Sequence, residues 1–532
     1  MNLLMLKFFL TGTSSIMKRF LAGAACVHAM AARRHVPGFG MGISLRTTRK
    51  ISISALITAL AILGATPGTR AAGYQMADPF GTAALMTSSS ERQDRRPCSI
   101  LSSTGVLSLT DVVDISLCNN PQTRQAWANV LAQAAQVGVA QSAYLPSLNA
   151  TASASHNWTD TDNGSLAAGR AAPSNERSAD AVLSYLLYDF GARGAAVRNA
   201  RQLLVAAAAT QDNTVQAVIL AAVQAFYQVQ ATLAALDAAM QSERSSLEGF
   251  KAADARYKAG VATPADSLQA QTAYSQAVLN RVQAEGALKN AQGTLANAMG
   301  LDADKPLTLA VVPELEPPKA FERDVVALVE EARQRRPDLA AAQAQLDAAQ
   351  ANIDAARAAG KPAVSLSAST GYLNQSGFPS SHATTLGISV SVPLFSGFAS
   401  TYRIRAAEAQ AEATGAQFDR VRLQVALDVW QAYQNLHTAM QSVRTTADLL
   451  ASAEQSQRVA LGRYKAGAGT VVELLAAESA LASARQQRVQ SLFNWNVSRV
   501  TLGQAMGTLD YGLLETMPGA ADANSTEGTP PP

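Results

Sequence analysis

The 532-residue sequence predicts a mainly α protein with a small β part: duplicated long coiled-coil helices plus two β-hairpins, one in each half. Three observations predict it. Residues 192–258 and 398–466 contain no proline and are dominated by Ala, Gln, Leu, Arg and Glu, all good helix formers. Each half also holds two runs that alternate apolar and polar residues, the period of a strand with two unlike faces. Finally, four anchors recur at two offsets. Asn120 with Pro121 matches Arg336 with Pro337, and Leu145 with Pro146 matches Lys361 with Pro362, both 216 residues apart. Arg256-Tyr257-Lys258-Ala259-Gly260 recurs as Arg463-Tyr464-Lys465-Ala466-Gly467, and Ala298-Met299-Gly300 as Ala505-Met506-Gly507, both 207 apart. Such self-similarity defines two copies of one unit.

The N-terminus reads as a leader with a signal peptide over residues 1–72. Arg46–Lys50 is basic, Ile51–Ala65 is apolar, and small residues follow up to Ala72, the order of a secretory signal cleaved after Ala71 or Ala72. An N-terminal anchor helix is the alternative. Residues 1–72 hold nine Lys and Arg and no Asp or Glu. The formal charge of +3 therefore becomes −6 beyond them, with 34 basic against 40 acidic residues. A mildly acidic chain has no electrostatic footprint for nucleic acid. Residues 73–108 form an N-terminal extension. In an oxidising compartment Cys98 and Cys118 are expected to pair as a disulfide; two unrelated thiols are the alternative.

The first repeat spans 109–302. Its hairpin strands lie at about 147–158 and 181–188. Leu148, Ala150, Ala152, Ala154, His156 and Trp158 share one face, with Ser and Asn residues on the other. A low-complexity linker is the competing reading of this Ser/Ala alternation. The following helix carries a coiled-coil seam at Val215, Ile219, Ala222, Phe226, Val229, Leu233, Leu236 and Met240. It stops at Gly260, a helix C-terminal signal, and Pro264 starts a return helix to about Gly300. A Pro-rich linker covers 303–324. The second repeat, 325–510, has strands at about 364–373 and 386–395 and a seam at Val429, Tyr433, Leu436, Met440 and Val443. Nine residues are lost between the strands of its hairpin, where loop length is tolerated. Residues 511–532, polar from 518 onward, are expected to form a disordered tail.

No run of 18 apolar residues lies outside the leader, so no α-helical span is expected. Four amphipathic strands cannot seal a membrane alone, because open edges leave unpaired backbone groups in lipid. A bacterial barrel needs at least eight strands, so several chains must share one. Helices of ~100 Å exceed any bilayer and must project from it.

The duplication, the hairpin within each half and the twin Arg-Tyr-Lys-Ala-Gly turns resemble the TolC family of outer-membrane factors over residues 109–510. The run Leu117–Arg124 further resembles the CyaE-like branch, which serves type I secretion of a toxin. The resemblance implies a homotrimer whose 12-stranded β-barrel is continuous with an α-helical barrel in the periplasm. It also implies docking to a periplasmic adaptor (a membrane fusion protein) and an inner-membrane ABC or proton-driven transporter, beside outer-membrane lipid. The expected function is a passive exit duct for protein toxin or drug.

By the same resemblance the two turns form the periplasmic tip. Arg256, Tyr257, Gly260, Arg463 and Gly467 are expected at the adaptor contact, and Asp266, Tyr464 and Glu473 at the gate. Three chains would bring six carboxylates near the axis, a ring that favours cations. Two positions depart from the family's best-known member: Gly469 replaces a gate Arg and Ala476 a gate acid. First-turn helix charges are the competing reading of Asp266 and Glu473, and packing that of Tyr257 and Tyr464. Trp158, Tyr188, Tyr372 and Phe395 sit where an aromatic girdle would lie. His156, His382 and His437 lack metal spacing. No nucleophile elbow, phosphate loop or paired catalytic carboxylates occur, so neither enzyme chemistry nor a cofactor is expected. A soluble periplasmic coiled-coil adaptor or scaffold is the alternative function, and it needs no lipid-facing strands.

Overall fold

The computed structural model describes residues 78–82, 106–158, 174–310, 312 and 323–519, all within the compact unit Ala77–Pro532. The leader, Cys98, most of the extension, Pro313, Pro317, Pro318 and residues 520–532 lie outside them. The first half runs β1 (Val106–Leu107), α1 (Leu109–Asn119), α2 (Pro121–Ser142), β2 (Ser147–Asn157), β3 (Ser174–Tyr188), α3 (Ala192–Lys258) and α4 (Pro264–Ala298). After β4 (Thr308–Leu309) the second half runs α5 (Val325–Arg335), α6 (Pro337–Ala358), β5 (Ala363–Gln375), β6 (Ser381–Ser391), α7 (Ala399–Lys465) and α8 (Val471–Ala505). A short α9 (Tyr511–Glu515) follows. Corresponding helices have equal lengths of 11, 22, 67 and 35 residues.

Proline and glycine punctuation sets these lengths. Pro121 and Pro337 each open a helix directly after another has ended, since proline cannot continue a helix but suits its first turn. The Asn120 side chain caps the first joint by accepting from the Gln122 N–H at 2.8 Å. At the second joint Arg336 pairs with Asp338 and Asp428 instead, and burial and the two carboxylates act on it in opposite senses. The return helices end against these joints. Gly300 and Gly507 have φ of 69° and 70°. A Cβ on Gly300 would sit 2.8 Å from the Asn119 carbonyl, and one on Gly507 3.0 Å from the Arg335 carbonyl. Both the backbone conformation and the close approach require glycine. Gly507→Ala is expected to destabilise the subunit by about 1–3 kcal/mol, read as a lowered melting temperature in detergent.

At 1.5 Å per residue α3 and α7 are each ~100 Å long. α2 and α4, end to end, pack along α3; α6 and α8 do the same along α7. Across the repeats α3 also packs on α6 and α8. The main core is a belt around the middle of the long helices. Leu109, Val112 and Val113 of α1 meet Val223 and Phe226 of α3, Leu295 of α4, Met299 just beyond it and Leu514 of α9. A second cluster joins Leu328 of α5 to Val425, Val429 and Leu436 of α7 and Trp495 of α8. One 18-residue window of α3 is apolar enough by composition to cross a membrane, but nearly half of it is buried in the protein.

The structure departs from expectation in four places. β3 begins at Ser174 rather than 181, because pairing with β2 and β5 on both sides carries its polar N-terminal part into the sheet. β6 spans 381–391 rather than 386–395; Pro393 lacks an N–H and biases its predecessor, so the strand stops before it. Residues 511–519, expected to open a disordered tail, pack into the belt. Leu514 is fully buried, and the Gly519 carbonyl accepts from the Leu109 N–H at 2.9 Å. Leu233 of the predicted seam is exposed, because the buried stretch of α3 there ends at Val229.

Candidate functional site

Two regions carry the sequence-predicted residues: the turns joining α3 to α4 and α7 to α8, and the sheet. Both turns end their helices in the same way. Gly260 and Gly467 take φ of 79°, and the next N–H, of Val261 or Ala468, bonds back to the Arg256 or Arg463 carbonyl at 3.0 and 2.9 Å. This closes the helix with a left-handed glycine. Three residues later each new helix opens with a capping box. Thr263 and Asp266 exchange bonds of 3.1 and 3.3 Å, and Thr470 and Glu473 bonds of 3.4 and 3.2 Å. Asp266 and Glu473 therefore satisfy orphan N–H groups at helix starts, a role their Thr-x-x-acid spacing announces in the sequence. Both are exposed.

The two turns are linked by one side chain. Arg256 donates from Nη1 to the Tyr464 carbonyl at 2.7 Å, and its guanidinium lies 5.1 Å from the Tyr464 ring centroid. Tyr464 is 3% exposed, packed with Ala253, Ala270, Val471 and Leu474. Burial pushes its phenol up, with Arg256 opposing and Asp266 adding to the rise. Its repeat counterpart Tyr257 is 43% exposed. The duplicated tyrosines thus differ: Tyr464 packs at the seam, while Tyr257 lies at the surface. Arg463 donates to the Ala468 carbonyl at 3.2 Å and lies 3.9 Å from Glu473. Gly469 is tightly enclosed, since a Cβ there would meet Arg463, Glu473 and Tyr464 at 3.3 Å. Ala476 is exposed. The cross-turn tie therefore comes from Arg256 on the first turn. Sequence reasoning missed it because its acceptor is a backbone carbonyl 208 residues away. It also missed Glu478 of α8, which is 8% exposed and faces a notch at Gly249 of α3.

The sheet has the order β2-β3-β5-β6, all antiparallel. Its register aligns like with like across the four strands. Leu148, Leu183, Ala368 and Leu386 lie opposite one another in sequence, as do Ser147, Ser184, Ser367 and Gly387 on the other face. On the polar face Ser153 and Ser178 are hydrogen-bonded at 2.8 Å. The apolar face is uncovered: Leu386 is 75% and Ile388 68% exposed. Aromatic residues gather at the two ends of the sheet. Trp158 stacks edge-on to His156, and Tyr372 contacts His382. At the helical end Tyr188 packs on Phe190 and Phe395 on Phe398. The outer strands β2 and β6 each have one side with no partner strand among the described residues. No cluster of His, Cys, Asp and Glu suited to a metal occurs among the described residues. Cys118 of α1 is disulfide-bonded, while Cys98 lies outside the described residues.

Comparison with known proteins agrees with this geometry. The family model for outer membrane efflux protein matches residues 112–301 and 328–508, one match per repeat. Protein CyaE of Bordetella pertussis is 34% identical over 417 residues, covering 77% of this chain and 86% of that protein. Outer membrane protein TolC of Escherichia coli is 24% identical, covering 76% of this chain and 82% of its own. Among solved structures, the Campylobacter jejuni CmeC outer membrane channel is similar in fold. Its TM-score is 0.68 at 18% identity, over 78% of this chain and 87% of that one.

Proposed function

The chain belongs to the outer membrane efflux protein family and serves as an outer-membrane exit channel, and from that premise we propose how it is assembled and with what. Three copies pair β2 of one with β6 of the next and close a 12-stranded barrel that no single chain can close. The observation that carries this reading is the sheet itself: four strands, two open edges, and one uncovered apolar face in register across all four. In lipid such edges must be paired. β2, with 11 residues, is ~36 Å long at ~3.3 Å per residue. Tilted by ~40° it spans ~27 Å, close to the apolar band of an outer-membrane barrel. The aromatic groups at both ends of the sheet suit the two membrane interfaces.

The helices of the three chains continue the barrel as a periplasmic tunnel ending at the twin turns. There the exposed Tyr257, Gly260 and Gly467 form the surface for a periplasmic adaptor, which couples the duct to an inner-membrane transporter. Asp266 and Glu473 of three chains supply six carboxylates at the tip. The duct itself is passive, so energy comes from the transporter. The similarity to CyaE favours protein secretion over drug efflux; an ATP-driven transporter co-purifying with the chain supports this, and a proton-driven pump opposes it.

In this reading Arg256 holds the tip closed. Arg256→Ala removes a charge-assisted bond of about 1.5–3 kcal/mol. It is therefore expected to raise the open-to-closed ratio about tenfold or more in planar bilayers. The reading as a whole is tested by cell fractionation and reconstitution. The chain should require detergent for extraction from outer membranes and should conduct ions. Appearance in the soluble fraction without detergent rejects it in favour of the soluble scaffold.

A further inference from the structure

The tip contains a carboxyl group that the duct reading does not use. Glu478 lies on α8, five residues past Glu473, and faces α3 across the seam between the repeats. Its Oε1 has no hydrogen-bond partner, and its Oε2 accepts only a long bond of 3.4 Å from the Ser246 hydroxyl. It occupies a notch that exists because residue 249 is glycine: a Cβ there would come within 2.9 Å of Oε1. Leu474 of α8 closes one side of the same notch.

Among the described residues no cation is paired with it. On α3, Glu243 is paired with Arg281 of α4, Glu248 with Lys251, and Asp254 with Lys258. Arg256 is spent on Tyr464, and Arg244 is exposed. On α4, Arg281 also holds Glu285, and Asp266 is in its capping box. On α7, Glu454 faces Arg458, and Arg463 lies beside Glu473. On α8 itself the half-buried Arg485 has a buried Nη1 without a hydrogen-bond partner. It lies two turns further on, ~10 Å along the helix. A charged carboxylate in this setting is strongly disfavoured, while a neutral carboxyl fits.

We infer that Glu478 is a proton-operated latch of the channel tip: neutral, it lets α8 seat against α3, and ionised, it loosens that seam. This rests on reading the turns as the closing end of the duct. Burial pushes the carboxyl up to about 7, with the Ser246 hydroxyl opposing. When the seam opens, the group meets water and returns to the ordinary carboxylate range near 4.5. A group raised in the closed state favours closure fully below its open-state value. That preference fades as pH rises and is gone above about 7. The tip is therefore tighter in mild acid and looser in mild alkali.

The test is amide hydrogen exchange on the full-length protein in detergent between pH 5.5 and 8.5, with rates corrected for intrinsic exchange. In the wild type, residues 244–252 and 474–482 should lose protection about tenfold across this range. Glu478→Gln, which keeps shape and stays neutral, should hold the low-pH protection throughout. An infrared band of a protonated carboxyl should appear in the wild type at pH 6 and be missing in E478Q. This band and the wild-type profile stand even if the variant folds poorly. Wild-type protection that ignores pH, or E478Q that follows the wild-type profile, overturns the inference. Conductance recorded in parallel separates the two readings. A pH-dependent seam without any ion conduction supports the titrating carboxyl and rejects the duct, whereas conduction with a pH-blind seam rejects the latch alone.

Discussion

Replacing Ala152 and Ser153 together by proline should abolish trimers and leave a monomer that does not enter membranes. These residues lie in the middle of β2, an outer strand of the sheet. Successive N–H groups of a strand point to opposite sides, so the pair removes one bond to β3 and one to the neighbouring chain. Each backbone group left unpaired in lipid costs several kcal/mol. In the proposed ring of three the loss occurs three times. The helical belt lies far along the chain from β2, so the subunit should retain its helical circular dichroism. Native gel electrophoresis then shows whether the loss is confined to assembly. Trimers that survive both prolines would mean that the chains associate through their helices alone.

The second large effect distinguishes the two faces of the sheet. Leu386, in the middle of β6, is 75% exposed and pairs with Ala368 on the apolar face. Its neighbour Thr385 pairs with Ser369 on the polar face. In the proposed barrel Leu386→Arg places a guanidinium at mid-bilayer, at ~2–4 kcal/mol per chain, and the three chains repeat it. Little correctly inserted protein should be recovered. In the same proposed barrel Thr385→Arg puts the charge on the lumen side, and the variant should insert normally while changing ion selectivity. Because both side chains are exposed in the isolated subunit, neither change opens a cavity in its core. Equal insertion of the two variants would mean that the apolar face does not meet lipid.

Much of this architecture is legible in the sequence because it is written twice. The Arg-Tyr-Lys-Ala-Gly pentapeptides mark both helix ends, and each glycine takes the left-handed conformation that a helix stop requires. The Ala-Met-Gly anchors recur because Gly300 and Gly507 each pack against a helix joint that admits no Cβ. Alternation in the strands survives as two unlike faces because register keeps like residues opposite. What the sequence hides is long-range. The Arg256 acceptor is a backbone atom in the other repeat. Glu478 reads as an ordinary helix-surface acid until Gly249, 229 positions earlier, makes room for it. The segment 511–519 is short and runs into a polar terminus, so it passes for a tail, yet Leu514 and Met517 complete the belt. The capping role of Asp266 and Glu473 was available locally from Thr263 and Thr470. It shows that a matched pair of acids can recur for a structural reason whether or not it also lines a channel.

In the proposed assembly the open sheet is one third of a barrel. The mass of the intact particle released from outer membranes by mild detergent, measured by native mass spectrometry, decides whether it is. Three polypeptides per particle is the predicted result. A particle holding a single chain would contradict it, because four strands with two unpaired edges would then have to exist in lipid.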